Sequence, residues 1–306
     1  MKSNTQANDY PLISIIALNY NQLEVTMEFL DSCKNLTYPN YEIILVDNNS
    51  REDPTPIISQ KYPEVKLIVT KKNLGFTGGN NVGIAAARGA YYFIVNNDTE
   101  VTPNLLEQLL APFEQDPKIG MVSPKIRYFS EPDLIQYAGF KEINPITGRN
   151  STIGQKERDL GQYDTPGYTF YAHGAAMLVS REVVDKVGPL PDIFFIYYEE
   201  LDWSSHVRRA GYKIYYQAQA LIFHKESITT GKDSPFKAYY HNRNRILFMR
   251  RNVSSVQFLY FTVFLTFFVI PKSLLQYGLR GKFVHLRNFV KAIIWNLNHP
   301  KYSKVY

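Results

Sequence analysis

Asp98 follows a buried-strand pattern, Tyr91 to Val95, with Asn96 and Asn97 between, and Thr99 comes next. A carboxylate on such a loop can hold a hard divalent ion, because Mg²⁺ takes only one or two carboxylates and fills its shell with phosphate oxygens. An Asx turn ahead of a capped helix would use the same residues. A second acidic group lies in Tyr197 to Trp203, YYEELDW, where Glu199, Glu200 and Asp202 fall within four residues. Their repulsion raises at least one pKa unless a cation or a catalytic role compensates. A helix N-terminus would also favour acids there, although the aromatic run IFFIYY just before it implies a partly apolar pocket. His224 ends an apolar strand 24 residues after Glu200; it is either structural or, given a partner, a metal ligand.

Ligands of open α/β sheets sit beyond the carboxyl ends of the strands. Polar residues gather at three such ends: Asn19, Tyr20 and Asn21; Asp47, Asn48, Asn49 and Ser50; Asn96, Asn97 and Asp98. Asp47 with Asn19 could serve a base and ribose, while ordinary turn formation explains any one cluster alone. Lys72 to Gly83, KNLGFTGGNNVG, is a glycine-rich stretch opening a helix. Backbone amides at Asn73, Gly75, Gly79 and Asn80 could approach an anion there. It matches neither the GxGxxG fingerprint nor a Walker loop.

The elements that must position these residues alternate as strand and helix, the pattern of a sheet covered on both faces. Strands are expected at Ile13–Leu18, Tyr41–Val46, Lys66–Val69, Tyr91–Val95, Ala175–Ser180, Ile214–Tyr216 and Leu221–Phe223. Helices are expected at Leu23–Cys33, Asn80–Arg88, from a Thr102 cap and Pro103 in the first turn through Phe113, and at Glu200–Ala210. Residues 128–170, weakly periodic and rich in turn formers, read as a long connection with short strands over the acceptor side. The resulting division is a disordered tail at 1–10, a catalytic domain at 11–235 and a C-terminal extension at 236–306. Within the catalytic domain, 11–100 forms the nucleotide part and 101–235 the acceptor part.

Net charge is +6, unevenly spread: residues 234–306 carry twelve Lys or Arg and no Asp or Glu. Within them Phe258 to Ile270, FLYFTVFLTFFVI, is uncharged and ends at Pro271. As a helix it spans roughly 20 Å, short of the roughly 30 Å bilayer core. An interfacial or re-entrant helix beside an anionic membrane, through residues 250–291, fits better than nucleic-acid binding. A buried helix closing the domain or forming a homodimer is the alternative. Cys33 is the sole cysteine, and MKSNTQANDYPL lacks a secretory h-region, so the expected setting is cytoplasmic, on the inner membrane face.

The ordered set IIALNYN (15–21), ILVDNNS (44–50), KNLGFTGGNNVGI (72–84), FIVNNDTEVTP (93–103), FFIYYEELDW (194–203), RRAGYKI (208–214) and HNRNR (241–245) resembles family 2 glycosyltransferases, especially the bacterial cell-surface branch that includes rhamnosyltransferases. The resemblance implies the GT-A fold, a mixed and mostly parallel sheet with helices on both faces. It also implies inverting transfer of a sugar, first of all rhamnose, from a nucleotide diphosphate to a saccharide or polyprenyl-linked acceptor, with Mn²⁺ or Mg²⁺. By the same resemblance Asp47 binds the base, Asp98 binds metal and Glu200 is the catalytic base. His224 matches a histidine metal ligand, and His173 and Gly174 match the acceptor edge of a pocket shared with Glu199, Asp202 and Trp203. Glu200 stands where Asp is usual, and His206 where Arg is frequent, which leaves Arg208 and Arg209 as diphosphate candidates. A nucleotidyltransferase, which would release pyrophosphate, and a non-catalytic carbohydrate-binding homologue are the alternatives.

Overall fold

The computed structural model describes residues 10–225 and 234–302. The tail expected at 1–10 lies, apart from Tyr10, outside them. The chain runs β1 (Ile13–Asn19), α1 (Leu23–Cys33), β2 (Tyr41–Asp47), α2 (Thr55–Lys61), β3 (Lys66–Val69), α3 (Gly75–Ala86), β4 (Tyr91–Asn96), β5 (Thr99–Val101), α4 (Leu105–Gln115), β6 (Ile119–Tyr128), β7 (Ile135–Tyr137), β8 (Gly167–Thr169), β9 (Ala176–Ser180), α5 (Arg181–Val187), α6 (Glu199–Arg209), β10 (Lys213–His224), α7 (Pro235–Asn252), α8 (Ser255–Phe264), α9 (Ile270–Leu279) and α10 (Phe283–Asn298). One sheet is ordered β3-β2-β1-β4-β9-β6-β10-β5, with β7 beside β6 and β8 beside β10. Its first half, β3-β2-β1-β4, is parallel. The second half is mixed, with β9 antiparallel to β4 and β6. β1 and β2 are buried along almost their whole length, as unbroken apolar runs require between two helical layers.

Several elements differ from the sequence reading: α2, β5 and α5 were not expected, α4 begins at Leu105 and not at Thr102–Pro103, and β6, β10 and α3 differ as follows. β6 was hidden because Ser123, Pro124 and Lys125 interrupt its apolar pattern, yet all three are buried in the sheet. β10 is one strand, not two, and passes through an irregularity between Gln217 and Leu221. α3 begins five residues earlier than expected, at Gly75 instead of Asn80. Its glycines serve helix-to-sheet packing: a Cβ on Gly79 would lie 2.9 Å from Leu18, and one on Gly83 would lie 2.3 Å from Ile16 Cγ2.

The boundary expected at 235 is not one of packing. Ile246, Leu247, Phe248 and Met249 of α7 and Phe261 of α8 belong to the same core as β1 and β2. From Ser255 the chain stays helical for 25 residues to Leu279, and an 18-residue stretch of it has mean hydropathy 1.8. At 1.5 Å per residue that is about 37 Å, enough by length and composition to cross a bilayer, so the expectation of too short a helix is corrected. Pro271 does not end it because the turn before it, Leu265–Val269, is a π-helix. Widening the turn there relieves the clash of a proline ring with the preceding carbonyls. Leu259, Phe267, Phe268, Leu275 and Leu279 are exposed along this helix.

Gly83→Ala separates packing from helix propensity. Propensity alone favours Ala by about 1 kcal/mol, but Ile16 is fully buried on the central strand and cannot retreat. The variant is expected to lose about 1–3 kcal/mol in urea unfolding; a gain would mean that the sheet yields at β1.

Candidate active site

Beyond the ends of β1 and β2, a cleft of about 340 Å³ is lined by Asn19, Asn21, Gln22, Ser50, Arg51 and Glu52 among others. Asp47 organises its floor. Its Oδ1 accepts from Asn19 Nδ2 at 2.7 Å and Ser50 Oγ at 2.6 Å, and its Oδ2 accepts from the Ser50 amide at 2.9 Å. Asn21 sits at φ 55° and accepts from the Arg51 amide, so the two strand-end loops are laced together. Asp47 itself is buried, and Asn21, Ser50 and Arg51 reach the cleft. Asn49, at φ 63°, is exposed, and Tyr20 is half-buried.

The glycine-rich stretch does not offer free amides. Leu74 N donates to Asn48 Oδ1, Gly75 N to Asn73 Oδ1, and Thr77 N to the Phe195 carbonyl. The first turn of α3 is therefore already satisfied, and a Cβ on Gly75 would meet Phe195 at 2.5 Å. Asn80 is buried and donates to the Phe76 carbonyl. The anion role expected for Gly75, Gly79 and Asn80 is corrected: they carry packing, and Asn73 with Asn48 acts as a clamp.

Asp98 and His224 do meet. β5 pairs antiparallel with β10 so that Thr99 faces His224, which sets Asp98 Oδ1 3.0 Å from His224 Nε2. That approach lacks hydrogen-bond geometry, and Asp98 Oδ1 is buried without a hydrogen bond. On the other edge of the ring, Nδ1 lies 2.9 Å from Gln136 Oε1. An amide oxygen accepts, so Nδ1 donates there. With Nε2 deprotonated, as a metal ligand is, two acceptors would face each other, an arrangement that a divalent cation between them satisfies. A histidine ligand whose other nitrogen donates to a fixed oxygen is the usual second layer of such sites. Asn96 Nδ2 lies 3.4 Å from Nε2, and Asn97 Nδ2 donates to Thr26 Oγ1 at 2.8 Å. Gln136, on a short strand in the weakly periodic segment, left no signal in the sequence.

Glu200 enters from α6. The loop before it holds Phe195, Tyr197 and Tyr198 at φ 68–72°, a left-handed conformation costly for bulky residues. Asn244 of α7 holds this loop, its Nδ2 lying 2.7–2.9 Å from the carbonyls of Phe194, Ile196 and Tyr197. The loop therefore turns Glu199 and Glu200 inward. A Cβ on Gly174 would lie 3.7 Å from Glu200 Cγ, an ordinary contact, so Gly174 lies directly beside the carboxylate. His173, next to Gly174, stacks on Phe140 and accepts from the Ala175 amide. Burial and then the charge of His224 push it down to about 3, which keeps it neutral and marks it as a neighbour of the metal-type pair. Burial pushes Glu200 up to about 7. Glu199 is raised well above the usual carboxylate range, first by burial and then by Glu200. Neither Oε2 atom has a hydrogen bond.

Four expected residues are not at the site. Asp202 is fully buried and chelated by Arg251 at 2.8–2.9 Å, with Asn252 Nδ2 at 2.6 Å; it latches α6 to α7. Trp203 is core, its indole N–H donating to the Gly188 carbonyl. Arg208 and Arg209 lie at the far end of α6, about 12 Å along the axis from Glu200. They pair with Glu142 at 3.8 Å and Asn252 at 2.8 Å, so neither reaches a diphosphate beside Asp98.

This sheet, with a nucleotide-sized cleft at its strand ends and an acid–histidine pair beside a buried carboxylate, defines the nucleotide-sugar transferase class. Residues 14–188 match the model of glycosyl transferase family 2, and the chain belongs to that family; it is a glycosyltransferase with the GT-A fold. It is 25% identical over 259 residues to an N-acetylglucosaminyl-diphospho-decaprenol L-rhamnosyltransferase of Mycobacterium tuberculosis, covering 78% of this chain and 84% of that one. It is 23% identical to a low-salt glycan biosynthesis hexosyltransferase of Haloferax volcanii, covering 86% and 85%. Among solved structures, a mannosyltransferase of Pyrobaculum calidifontis in complex with GDP-Man and Mn²⁺ superposes with TM-score 0.58 at 15% identity, covering 95% and 88%. GalNAc-T7 with UDP, GalNAc and Mn²⁺ gives TM-score 0.65 at 17% identity; the match covers 79% of this chain and about half, 48%, of that one.

The raised carboxyl of Glu200 fixes two pH dependences. If it is the base, wild-type kcat/KM rises with pH up to about 7; an acid limb near pH 4 would remove it from that role. The folded chain also holds this proton more tightly than the ordinary 4.5, so stability falls as pH rises from about 4.5 to 7. Glu200→Gln is therefore expected to melt above wild type at pH 8 while losing turnover, with the melting gap closing below pH 4.5.

Proposed function

We propose that this enzyme transfers a sugar, in the first place L-rhamnose, from a nucleoside diphosphate to a hydroxyl of a saccharide or polyprenyl-linked saccharide in cell-surface polysaccharide synthesis. A single displacement inverts the anomeric carbon. Glu200 accepts the hydroxyl proton, the freed oxygen bonds to that carbon, and the bond to the diphosphate breaks with its electron pair on the leaving oxygen. The observation that carries this reading is the pair Asp98 Oδ1 and His224 Nε2, held 3.0 Å apart, with the other ring nitrogen of His224 2.9 Å from Gln136 Oε1. These residues would hold Mn²⁺ or Mg²⁺, which supplies charge neutralisation for the departing diphosphate. Asn19, Asn21 and Ser50 orient the nucleoside, while Tyr198 and His173 shield the base from water. Rhamnose is favoured by the similarity to the mycobacterial rhamnosyltransferase.

We place the enzyme on the inner face of the cytoplasmic membrane. The exposed apolar residues of Ser255–Leu279, together with the acid-free charge of residues 234–306, support contact with an anionic bilayer.

Mn²⁺ and a nucleoside diphosphate together are expected to raise Tm more than either alone, with the largest shift in a nucleotide-sugar panel for deoxythymidine diphosphate rhamnose. Asp98→Asn abolishes the joint shift, and Gln136→Leu weakens Mn²⁺ binding about 10–100-fold; undiminished Mn²⁺ affinity in both would sink the proposed ligand set. The full chain is also expected to co-float with vesicles containing anionic lipid, and Phe267→Asp to reduce the floating fraction. Flotation independent of lipid charge would remove the electrostatic part.

A further inference from the structure

Arg245 is 4% exposed, yet its Nε and Nη2 are buried with no hydrogen bond. A guanidinium does not shed its proton to escape such a site, and a buried charge without a partner costs several kcal/mol. No carboxylate compensates it. A charge that bears on it is another cation, exposed Arg149, which adds to burial in lowering its pKa. Other buried arginines of this region are engaged: Arg243 reaches the Ile193 carbonyl and stacks on Trp295, and Arg251 chelates Asp202. Arg243 also keeps its Nε unpaired, but of the three only Arg245 has both Nε and Nη2 without a partner.

Its position is specific. The Tyr198 hydroxyl, two residues before Glu200, donates to the carbonyl of Gly148 at 3.0 Å, which places it beside the loop that carries Arg149; Arg245, Glu200 and Arg149 all bear on its charge. On the far side, a Cβ on Gly148 would touch Phe261 Cε2 at 3.0 Å and Arg245 Cγ at 3.1 Å. Phe261 lies on α8, the start of the apolar helix. Arg245 therefore lies between the proton-accepting carboxylate and the apolar helix. The nucleoside cleft at β1 and β2, lined by Asn19, Asn21 and Ser50, contains neither arginine.

Resting on the transfer reading above, we propose that Arg245 and Arg149 form an anion subsite for the acceptor, binding the phosphate or diphosphate that joins its saccharide to a lipid. A phosphoryl group accepts the bidentate fork of a guanidinium. It would neutralise both cations, with the sugar hydroxyl reaching Glu200 on one side and the lipid chain leaving along α8 on the other.

The test needs no turnover and no metal. In EDTA, calorimetry on the full chain compares farnesyl diphosphate, inorganic pyrophosphate and farnesol; UDP with Mn²⁺ probes the donor site separately. Farnesyl diphosphate is expected to bind more tightly than pyrophosphate, with farnesol inert. Arg245→Met is expected to weaken it about 10- to 100-fold, and Arg149→Gln, a surface change that leaves folding alone, about threefold to tenfold, while UDP with Mn²⁺ binds both variants as it binds wild type. Absence of metal-free binding to wild type overturns the subsite. Equal losses for UDP with Mn²⁺ overturn its assignment to the acceptor, and equal affinity for pyrophosphate and farnesyl diphosphate overturns the lipid-linked source. Failure of the transfer reading would show instead as wild type that binds neither UDP nor deoxythymidine diphosphate with Mn²⁺.

Discussion

The antiparallel pairing of β5 with β10 is the constraint on which the site depends. It sets Thr99 against His224 and so brings together residues more than a hundred positions apart in the chain. Side chains alternate along a strand, so a slip of one residue would turn His224 to the opposite face. The register is fixed from the other edge of β10 too, where β6 pairs in parallel and places His224 beside Tyr128. With both neighbours in place, the imidazole has one direction available, and Gln136 decides which nitrogen faces Asp98.

Around that pair the chain accepts several locally unfavourable features. Three bulky residues adopt left-handed backbone, two adjacent glutamates are buried, and Asp98, Glu199, Glu200 and Arg245 each keep a polar atom unpaired. Elsewhere the packing is conventional, with β1, β2 and β4 buried under helices. Buried unpaired polar atoms also occur away from it, at Glu107 and Gln217 among others, but here they coincide with aromatic residues in left-handed backbone, a combination that costs stability and is tolerated where chemistry requires it. Asn244 is what makes the loop affordable, since one amide holds three carbonyls that would otherwise drive the backbone elsewhere.

The strands of the parallel half were legible as apolar runs, β1 and β2 above all, and α1 by its spaced apolar face, whereas α2, seven residues with only Ile58 buried, was not. Asp98, Glu200 and His224 were legible as carboxylates and an imidazole at strand and helix ends. The pairing of β5 with β10 was not, because no short-range pattern encodes which distant strand a three-residue segment will join. The glycines of α3 misled for a related reason: a stretch without side chains permits an anion to approach, but permits a neighbouring strand equally, and here Leu18 and Ile16 take the space. Asp202 and Trp203 share a helix turn with Glu200, but with 3.6 residues per turn they point to other neighbours. Pro271 misled because its effect on a helix depends on whether the turn before it can widen.

The latch between Asp202 and Arg251 has a mechanical consequence. Asp202 is two residues from Glu200 on α6, and Arg251 stands at the end of α7, four residues before the apolar helix begins. A bidentate ion pair in a dry setting resists shear, so the two ends behave as one lever. The first turn of α6, which carries Glu200, and the root of the long apolar helix are thereby tied through one buried joint.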